Sequence, residues 1–194
     1  MARKRLATIG AGLFLVVALA VLGSLPSWWR APPAIAAIGG PFTLVDQTGK
    51  TVTDADYRGK IKLVYFGYTY CPDLCPTTLA TLAQALDRLT PPERDKIVPL
   101  FITVDPERDT PARMADYVAA FSPLLVGLTG SPEQIAAVEK GYRIYAKRSD
   151  LGGGNYGVDH SSLIYVMAAD GHYLDHLDPN ATADDIVAGL RKIL

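Results

Sequence analysis

The chain has 194 residues, of which 49% are hydrophobic, and its formal net charge is −1 at pH 7. Four of its 19 basic residues and none of its acidic residues lie in the first 30 positions, which leaves 15 basic against 20 acidic residues in the remainder. That acidic balance argues against a nucleic-acid-binding protein, because such a protein presents a basic surface to phosphates.

The N-terminal segment has the pattern of a membrane anchor. The basic residues Arg3–Arg5 precede an apolar run at 6–25, which is about long enough to cross a bilayer as a helix. Trp28 and Trp29 follow, as aromatic residues do at a membrane interface. We expect the N-terminus to stay in the cytoplasm and the rest to lie on the other side, at the periplasmic face of the inner membrane if the source is bacterial. A cleaved signal peptide is the alternative, and it gives the same location.

Composition divides the chain into an anchor or signal peptide at 1–30, a linker rich in proline and glycine at 31–41, and one domain at 42–194. In chain order the predicted elements of the domain are a hairpin at 42–53, a strand at 61–65, a helix at 76–89, a strand at 97–104, a helix at 109–121, a strand at 124–128, a helix at 131–145, a glycine-rich loop at 149–158, strands at 162–168 and 172–177, and a helix at 181–194. This alternation predicts an α/β fold with a central mixed β-sheet flanked by helices, after an N-terminal β-hairpin.

The two cysteines of the chain, Cys71 and Cys75, lie between the predicted strand at 61–65 and the helix that follows. Pro76 suits the first position of a helix, which would make Cys75 the N-cap and lower the pKa of its thiol through the helix dipole. One turn between the cysteines allows both sulfurs to bind one ion, and it also allows a disulfide, which needs Cα atoms roughly 4.4–6.8 Å apart. The spacing permits both and does not decide between them.

A structural disulfide is the ordinary expectation for two cysteines in an oxidising compartment. Two considerations weigh against it here. A bridge between Cys71 and Cys75 would close so short a loop that it would remove little chain entropy. A domain of about 150 residues also buries enough apolar surface to be stable without one.

Three segments resemble the Sco/SenC family of copper-binding assembly factors for cytochrome c oxidase. They are Tyr65-Phe-Gly-Tyr-Thr-Tyr-Cys-Pro-Asp-Leu-Cys-Pro76, Val104-Asp-Pro-Glu-Arg-Asp-Thr-Pro111 and Tyr156-Gly-Val-Asp-His-Ser161, in that order. The resemblance covers roughly residues 40–194 and implies a thioredoxin-like fold. It also implies that Cys71, Cys75 and His160 are the copper ligands. In such a fold the strand after His160 runs antiparallel to the strand before Cys71, so the imidazole would reach the sulfurs.

The resemblance implies a copper chaperone, a binding and transfer protein rather than an enzyme. It would bind Cu(I), with Cu(II) as a second oxidation state, and assist assembly of the dinuclear copper centre in the copper-bearing subunit of cytochrome c oxidase. Other exported copper chaperones and a thioredoxin-like reductant are further expected partners. The main alternative is a thiol–disulfide reductase that keeps the oxidase cysteines reduced through the redox-active pair Cys71 and Cys75. A peroxiredoxin-like peroxidase is a third.

Other residues offer weaker indications. His172 and His176 share a face of a predicted strand, where they are either solvent-facing or a second, weak metal site. The glycines at 152–154 are not followed by the Gly-Lys-Ser/Thr of a phosphate loop. We interpret them as slack that lets His160 move relative to the metal. Asp73 and the acidic segment 105–111 are assigned to solvated loop, strand-end and helix-cap positions, with partner contact as the alternative for both.

Overall fold

The computed structural model describes residues 38–194. It contains the predicted elements in their predicted order, with a short helix at Pro91–Arg94 and a strand pair at 146–160 in addition. The strands are β1 (Thr43–Asp46), β2 (Thr51–Thr53), β3 (Ile61–Gly67), β4 (Ile97–Thr103), β5 (Val126–Thr129), β6 (Ala146–Gly152), β7 (Asn155–His160), β8 (Ile164–Met167) and β9 (Tyr173–Leu177). The helices are α1 (Leu74–Asp87), α2 (Pro91–Arg94), α3 (Pro111–Ala119), α4 (Pro132–Tyr142) and α5 (Ala183–Leu190), with a 3-10 turn at Asp54–Tyr57.

Seven strands form one mixed sheet in the order β2-β1-β5-β4-β3-β8-β9. The neighbours β3, β4 and β5 are parallel, whereas β8 pairs antiparallel with β3. The central mixed sheet, the flanking helices and the N-terminal hairpin of the predicted thioredoxin-like fold are therefore confirmed. Strands β6 and β7 pair only with each other, as a separate two-stranded sheet.

Strand β3 lies inside the sheet and all seven of its residues are buried. Apart from Lys62 its sequence is apolar, which fits a strand that is covered on both faces. Because side chains alternate along a strand, Leu63 and Tyr65 face a core built with α1, α3 and α5, whereas Val64 and Phe66 face a core built with α4. This central strand delivers the cysteine loop to the carboxyl edge of the parallel strands, where open α/β sheets place their sites.

Two predictions of local structure are wrong. Helix α1 begins at Leu74, so Asp73 is the N-cap and Cys75 lies within the first turn. Residues 149–158 are not a slack loop, because β6 and β7 pair from Ala146–His160 to Gly152–Asn155. The hairpin is mostly exposed and shows little apolar alternation, so it lacks the periodicity that identifies a half-buried strand. Gly152, Gly153 and Gly154 have positive φ angles and form its tip.

The predicted membrane helix and the competing signal peptide lie outside the described residues, as does most of the linker. Within residues 38–194, none of the helices combines the length and the apolar character that a membrane span requires.

Candidate metal centre

The loop after β3 and the first turn of α1 hold the two cysteines. The backbone N–H of Thr77 donates to the carbonyl of Asp73 at 3.1 Å, which is the first hydrogen bond of the helix. Pro76 precedes Thr77, at a position whose N–H has no helical partner, so its missing donor costs nothing. Cys71 is partly exposed and Cys75 is fully buried, and neither forms a disulfide.

The sulfur of Cys71, rather than a conventional cap, accepts from the first turn of α1. The backbone N–H of Cys75 donates to Cys71 Sγ at 3.4 Å. A hydrogen bond from the Cys75 side chain lowers the pKa of Cys71 to about 4, and contact with His160 and the hydrogen bond from this backbone N–H act in the same direction. The same contact with Cys71, together with burial, raises the pKa of Cys75. The predicted lowering of the Cys75 pKa is therefore wrong, because the helix end stabilises charge on the other sulfur.

His160 reaches the cysteines from the end of β7. Strand β8 follows it and pairs antiparallel with β3, with Ile164 opposite Tyr65 near the carboxyl end of β3. The residues just before β8 therefore lie beside the loop that leaves β3. Nε2 of His160 is 3.6 Å from Cys75 Sγ, and its ring meets that of Tyr68 edge to face. The predicted meeting of a distant imidazole with both sulfurs is present in the structure.

The orientation of the imidazole is set by its other nitrogen. Nδ1 of His160 lies 2.9 Å from the carbonyl oxygen of Ser161. A carbonyl oxygen only accepts, so Nδ1 carries the proton and Nε2 directs its lone pair towards the sulfurs. A backbone contact of this kind is common in metal-binding histidines, because it fixes the ring and its tautomer.

The potential ligand atoms of Cys71, Cys75 and His160 all lie within 4.8 Å of one another. Within the described part of the chain they form the one group of three such side chains close enough to share an ion. Two sulfurs and one imidazole are a soft donor set, which favours Cu(I) or zinc over hard cations. Three ligands also leave room at the partly exposed side of Cys71 for a ligand from another molecule.

Close packing under the cysteines fixes their position. A Cβ atom at Gly67 would lie 2.7 Å from Cys75 Sγ and 2.7 Å from the ring of Phe101. Only a residue without a side chain fits between the end of β3 and this sulfur. Gly67 therefore allows the buried thiol to lie directly against the sheet.

Buried Asp109 anchors the approach to the cysteines. Its carboxylate accepts from the backbone N–H of Thr69 at 3.0 Å and from the hydroxyls of Thr69 and Thr103, both at 2.6 Å. Burial raises the pKa of Asp109, while these hydrogen bonds act in the opposite direction. Since Thr69 is two residues before Cys71, the contact joins the cysteine loop to the loop after β4.

A second buried carboxylate, Asp105, holds the β6–β7 hairpin. It accepts a hydrogen bond from the Tyr156 hydroxyl at 2.8 Å and pairs with the guanidinium of Arg108. Arg108 also donates to the carbonyl of Tyr156 at 3.0 Å and stacks 3.7 Å from the centre of its ring. The segment 105–111 is therefore more than strand-end and cap chemistry. Its link to Tyr156 could not be predicted from the sequence, because it depends on a contact across 51 residues.

The structure does not bring the other candidates to this centre. His172 contacts Asp170 through Nδ1 at 2.6 Å, and His176 contacts the Tyr173 hydroxyl at 2.7 Å. Both histidines are exposed and neither belongs to a three-residue metal group among residues 38–194. Asp73 is exposed, and its carboxylate lies 3.5 Å from the Thr77 hydroxyl.

Comparisons with known proteins give one family. The family model described as SCO1/SenC matches residues 30–194. Protein SenC of Rhodobacter capsulatus is 46% identical over 151 residues, which cover 78% of this chain and 68% of that protein. The mitochondrial protein SCO1 homolog 1 of Arabidopsis thaliana is 43% identical over 157 residues, 81% of this chain but 47% of its own length. This chain thus spans only about half of some of the curated relatives that it matches.

Solved structures agree with the sequence comparison. The structure of Bradyrhizobium japonicum ScoI with copper bound has a TM-score of 0.76 and 46% sequence identity, and the match covers 81% of this chain and 100% of that one. The apo Sco1 protein of Thermus thermophilus has a TM-score of 0.75 and 33% identity, over 82% of this chain and 94% of that one. The sequence match, the thioredoxin-like sheet and the Cys-Cys-His cluster lead to one conclusion: the chain belongs to the SCO1/SenC family.

Proposed function

We propose that this protein is a copper chaperone that binds one copper ion through Cys71, Cys75 and His160. The observation that carries the proposal is the convergence of two sulfurs and one imidazole nitrogen within 4.8 Å. The donor set suits Cu(I), and an imidazole is also a good ligand for Cu(II). The copper-bound structure of the B. japonicum relative, at 46% identity, supports the choice of copper over zinc.

The geometry of the site also suits transfer of the copper ion to another protein. Cys71 is partly exposed while Cys75 is buried, so an incoming ligand has access to the ion from one side. We propose that the acceptor is the copper-bearing subunit of cytochrome c oxidase, whose dinuclear centre this protein would help to assemble. Other exported copper chaperones would be donors of the ion. The N-terminal apolar segment would anchor the domain to the membrane on the non-cytoplasmic side.

The direct test is copper stoichiometry and ligand spectroscopy on the reduced full chain in detergent. We expect one copper per chain and a sulfur-to-copper charge-transfer band in the Cu(II) form. Cys71→Ser, Cys75→Ser and His160→Ala should each lose stoichiometric binding, while the matched control His172→Ala should keep it. Binding that survives all three ligand substitutions would contradict the proposed site.

A second function, thiol–disulfide reduction, is favoured by the unequal cysteines. Hydrogen bonds to Cys71 lower its pKa to about 4, so it is a thiolate at neutral pH and accessible to a partner. The Cys71 thiolate would attack a partner disulfide to form a mixed disulfide and release one partner thiolate. Cys75 would then attack Cys71 Sγ and release the other partner sulfur, so that two electrons and the Cys75 proton pass to the partner and the second proton comes from solvent. Another member of the family is described as having a disulfide switch, in a structure with 25% identity and a TM-score of 0.64.

His160→Ala separates the two functions in cells that depend on this protein for oxidase assembly. The reductase needs only the cysteines, whereas the chaperone needs the imidazole as well. Loss of copper binding together with loss of oxidase activity supports the chaperone. Full oxidase activity in the variant supports the reductase.

A further inference from the structure

Unpartnered hydroxyl groups are concentrated around the cysteine pair. In the described part of the chain, four buried side-chain polar atoms have no hydrogen-bond partner, and they belong to Tyr65, Thr78, Arg108 and Tyr117. Three of the four are hydroxyls that come from the core between the sheet and α1 or α3, the same core that contains Cys75. Native proteins leave few buried polar groups unsatisfied, so such a cluster calls for an explanation.

Tyr65 is the member of this cluster whose surroundings are best defined. Its side chain is fully buried, and it projects from β3 on the same face as Gly67, whose Cα lies against the sulfur of Cys75. Its ring stacks on Phe101, with 6.0 Å between the ring centres. Burial raises the pKa of Tyr65. The phenol therefore stays protonated and remains a donor.

The neighbouring sulfur of Cys75 is the acceptor that this hydroxyl lacks. A neutral thiol accepts hydrogen bonds only weakly. Metal binding requires the deprotonated sulfur. A fully buried thiolate then needs a donor, and the hydroxyl of Tyr65, which lies beside the Cys75 side chain, is in place to be one. Rotation of the O–H bond of Tyr65 is enough to supply one.

We propose that the Tyr65 hydroxyl donates a hydrogen bond to the Cys75 sulfur when that sulfur is a copper-bound thiolate, and that this contact tunes the copper site. The inference rests on the proposed function and adds a positioning residue to its three ligands. A donor to a thiolate ligand withdraws electron density from the sulfur, which favours Cu(I) over Cu(II). Tyr65 thereby assists a site that holds copper in its reduced form.

The test is Tyr65→Phe in the full chain, which removes one hydroxyl and keeps the ring. We expect on the order of tenfold weaker Cu(I) binding, which is the usual effect of removing a hydrogen-bond partner of a metal ligand. Competition with a chromogenic Cu(I) chelator measures the affinity. The sulfur-to-Cu(II) charge-transfer band should move to longer wavelength. The copper-free variant should unfold at a temperature no lower than the wild type, because the hydroxyl has no partner there to lose.

Tyr165→Phe is the matched control, because Tyr165 is a buried tyrosine on β8 that packs in the opposite core. It should leave both the affinity and the band unchanged. The inference is overturned if Tyr65→Phe keeps the wild-type band and affinity, if the control shifts them equally, or if copper-free Tyr65→Phe is clearly less stable than the wild type. A wild-type chain without a thiolate band would instead overturn the proposed function.

Discussion

At the scale of single residues, the two cysteines are chemically different although both follow the same strand. Cys71 is partly exposed and its pKa is lowered to about 4, mainly through the hydrogen bond from Cys75. Cys75 is fully buried and its pKa is raised, mainly through the same contact. One sulfur is thus a ready nucleophile at neutral pH, and the other is protected.

This difference predicts the order of alkylation. With one equivalent of iodoacetamide at pH 7, the reduced metal-free protein should be modified at Cys71 well before Cys75, because the thiolate is the reactive form. Peptide mapping by mass spectrometry measures the ratio, and Cys71→Ser should make the remaining cysteine slow to react. Equal labelling of both cysteines would show that burial and charge do not make their reactivities different.

The close packing around Gly67 leads to a second prediction at the scale of single residues. Gly67→Ala would place a Cβ atom 2.7 Å from both Cys75 Sγ and the Phe101 ring, so the sulfur or the ring must move. We expect a loss of about 1–3 kcal/mol in unfolding free energy from overpacking, with a clear loss of copper affinity. Denaturant unfolding and chelator competition measure the two effects.

Gly189→Ala is the control for that experiment. Its new Cβ atom would make an ordinary 3.7 Å contact with Leu177, and alanine favours the helix by about 0.5–1 kcal/mol. We expect unchanged copper binding and equal or higher stability. Normal copper binding by Gly67→Ala would show that the sulfur is not fixed by this packing.

At the scale of elements, the β6–β7 hairpin carries His160 but lies outside the main sheet. Its connection to the rest includes the contacts of Tyr156 with Asp105 and Arg108. Arg148, also in the hairpin, pairs with Glu107 at 2.9 Å. These polar contacts, together with the packing of Val158 in the core, determine how firmly the imidazole is held against the sulfurs.

Tyr156→Phe tests this link by removing the hydroxyl that bonds to Asp105. A hydrogen bond to a charged group is worth about 1.5–3 kcal/mol, and Asp105 keeps its ion pair with Arg108. We expect faster hydrogen exchange of the β6–β7 amides and weaker copper binding, with little change in the exchange of β3 and β4. Tyr145→Phe is the control, because that side chain is 59% exposed. Unchanged exchange in the hairpin would refute the link.

At the scale of the whole molecule, the ligands come from two distant parts of the chain, and metal binding therefore couples to folding. A ligand that binds only the native state at 1,000 times its dissociation constant adds about 4 kcal/mol of stability. For a domain of this size that corresponds to roughly 8–16 °C in the midpoint of thermal unfolding. Removing copper should lower the midpoint by this amount.

The measurement is differential scanning calorimetry of the reduced protein with and without Cu(I) held by a weak buffer ligand. His160→Ala should lose most of the copper-dependent shift while its copper-free midpoint stays near that of the wild type, since its imidazole is partly exposed. Zinc in place of copper tests the selectivity of the soft donor set. A copper-dependent shift that is the same in His160→Ala would mean that the imidazole does not bind the ion.

The sequence by itself determined the order of the elements and the chemistry of the candidate site. Apolar periodicity and proline caps are local signals, so they located the central strands and helices, and the spacing of Cys71 and Cys75 already permitted one shared ion. The resemblance to a family added His160. All of these depend on residue types at short range, which a single sequence displays directly.

Only the tertiary structure decided which sulfur is the thiolate, how the hairpin is held, and which hydroxyls surround the site. Because α1 begins at Leu74, the backbone N–H of Cys75 lies in its first turn and donates to Cys71 Sγ. The helix end therefore stabilises a charge on Cys71. The pairing of Tyr156 with Asp105 and the orphaned hydroxyl of Tyr65 arise from contacts between segments far apart in the chain. Such contacts leave no periodic pattern, because their geometry is fixed by packing across the sheet rather than by neighbours in sequence.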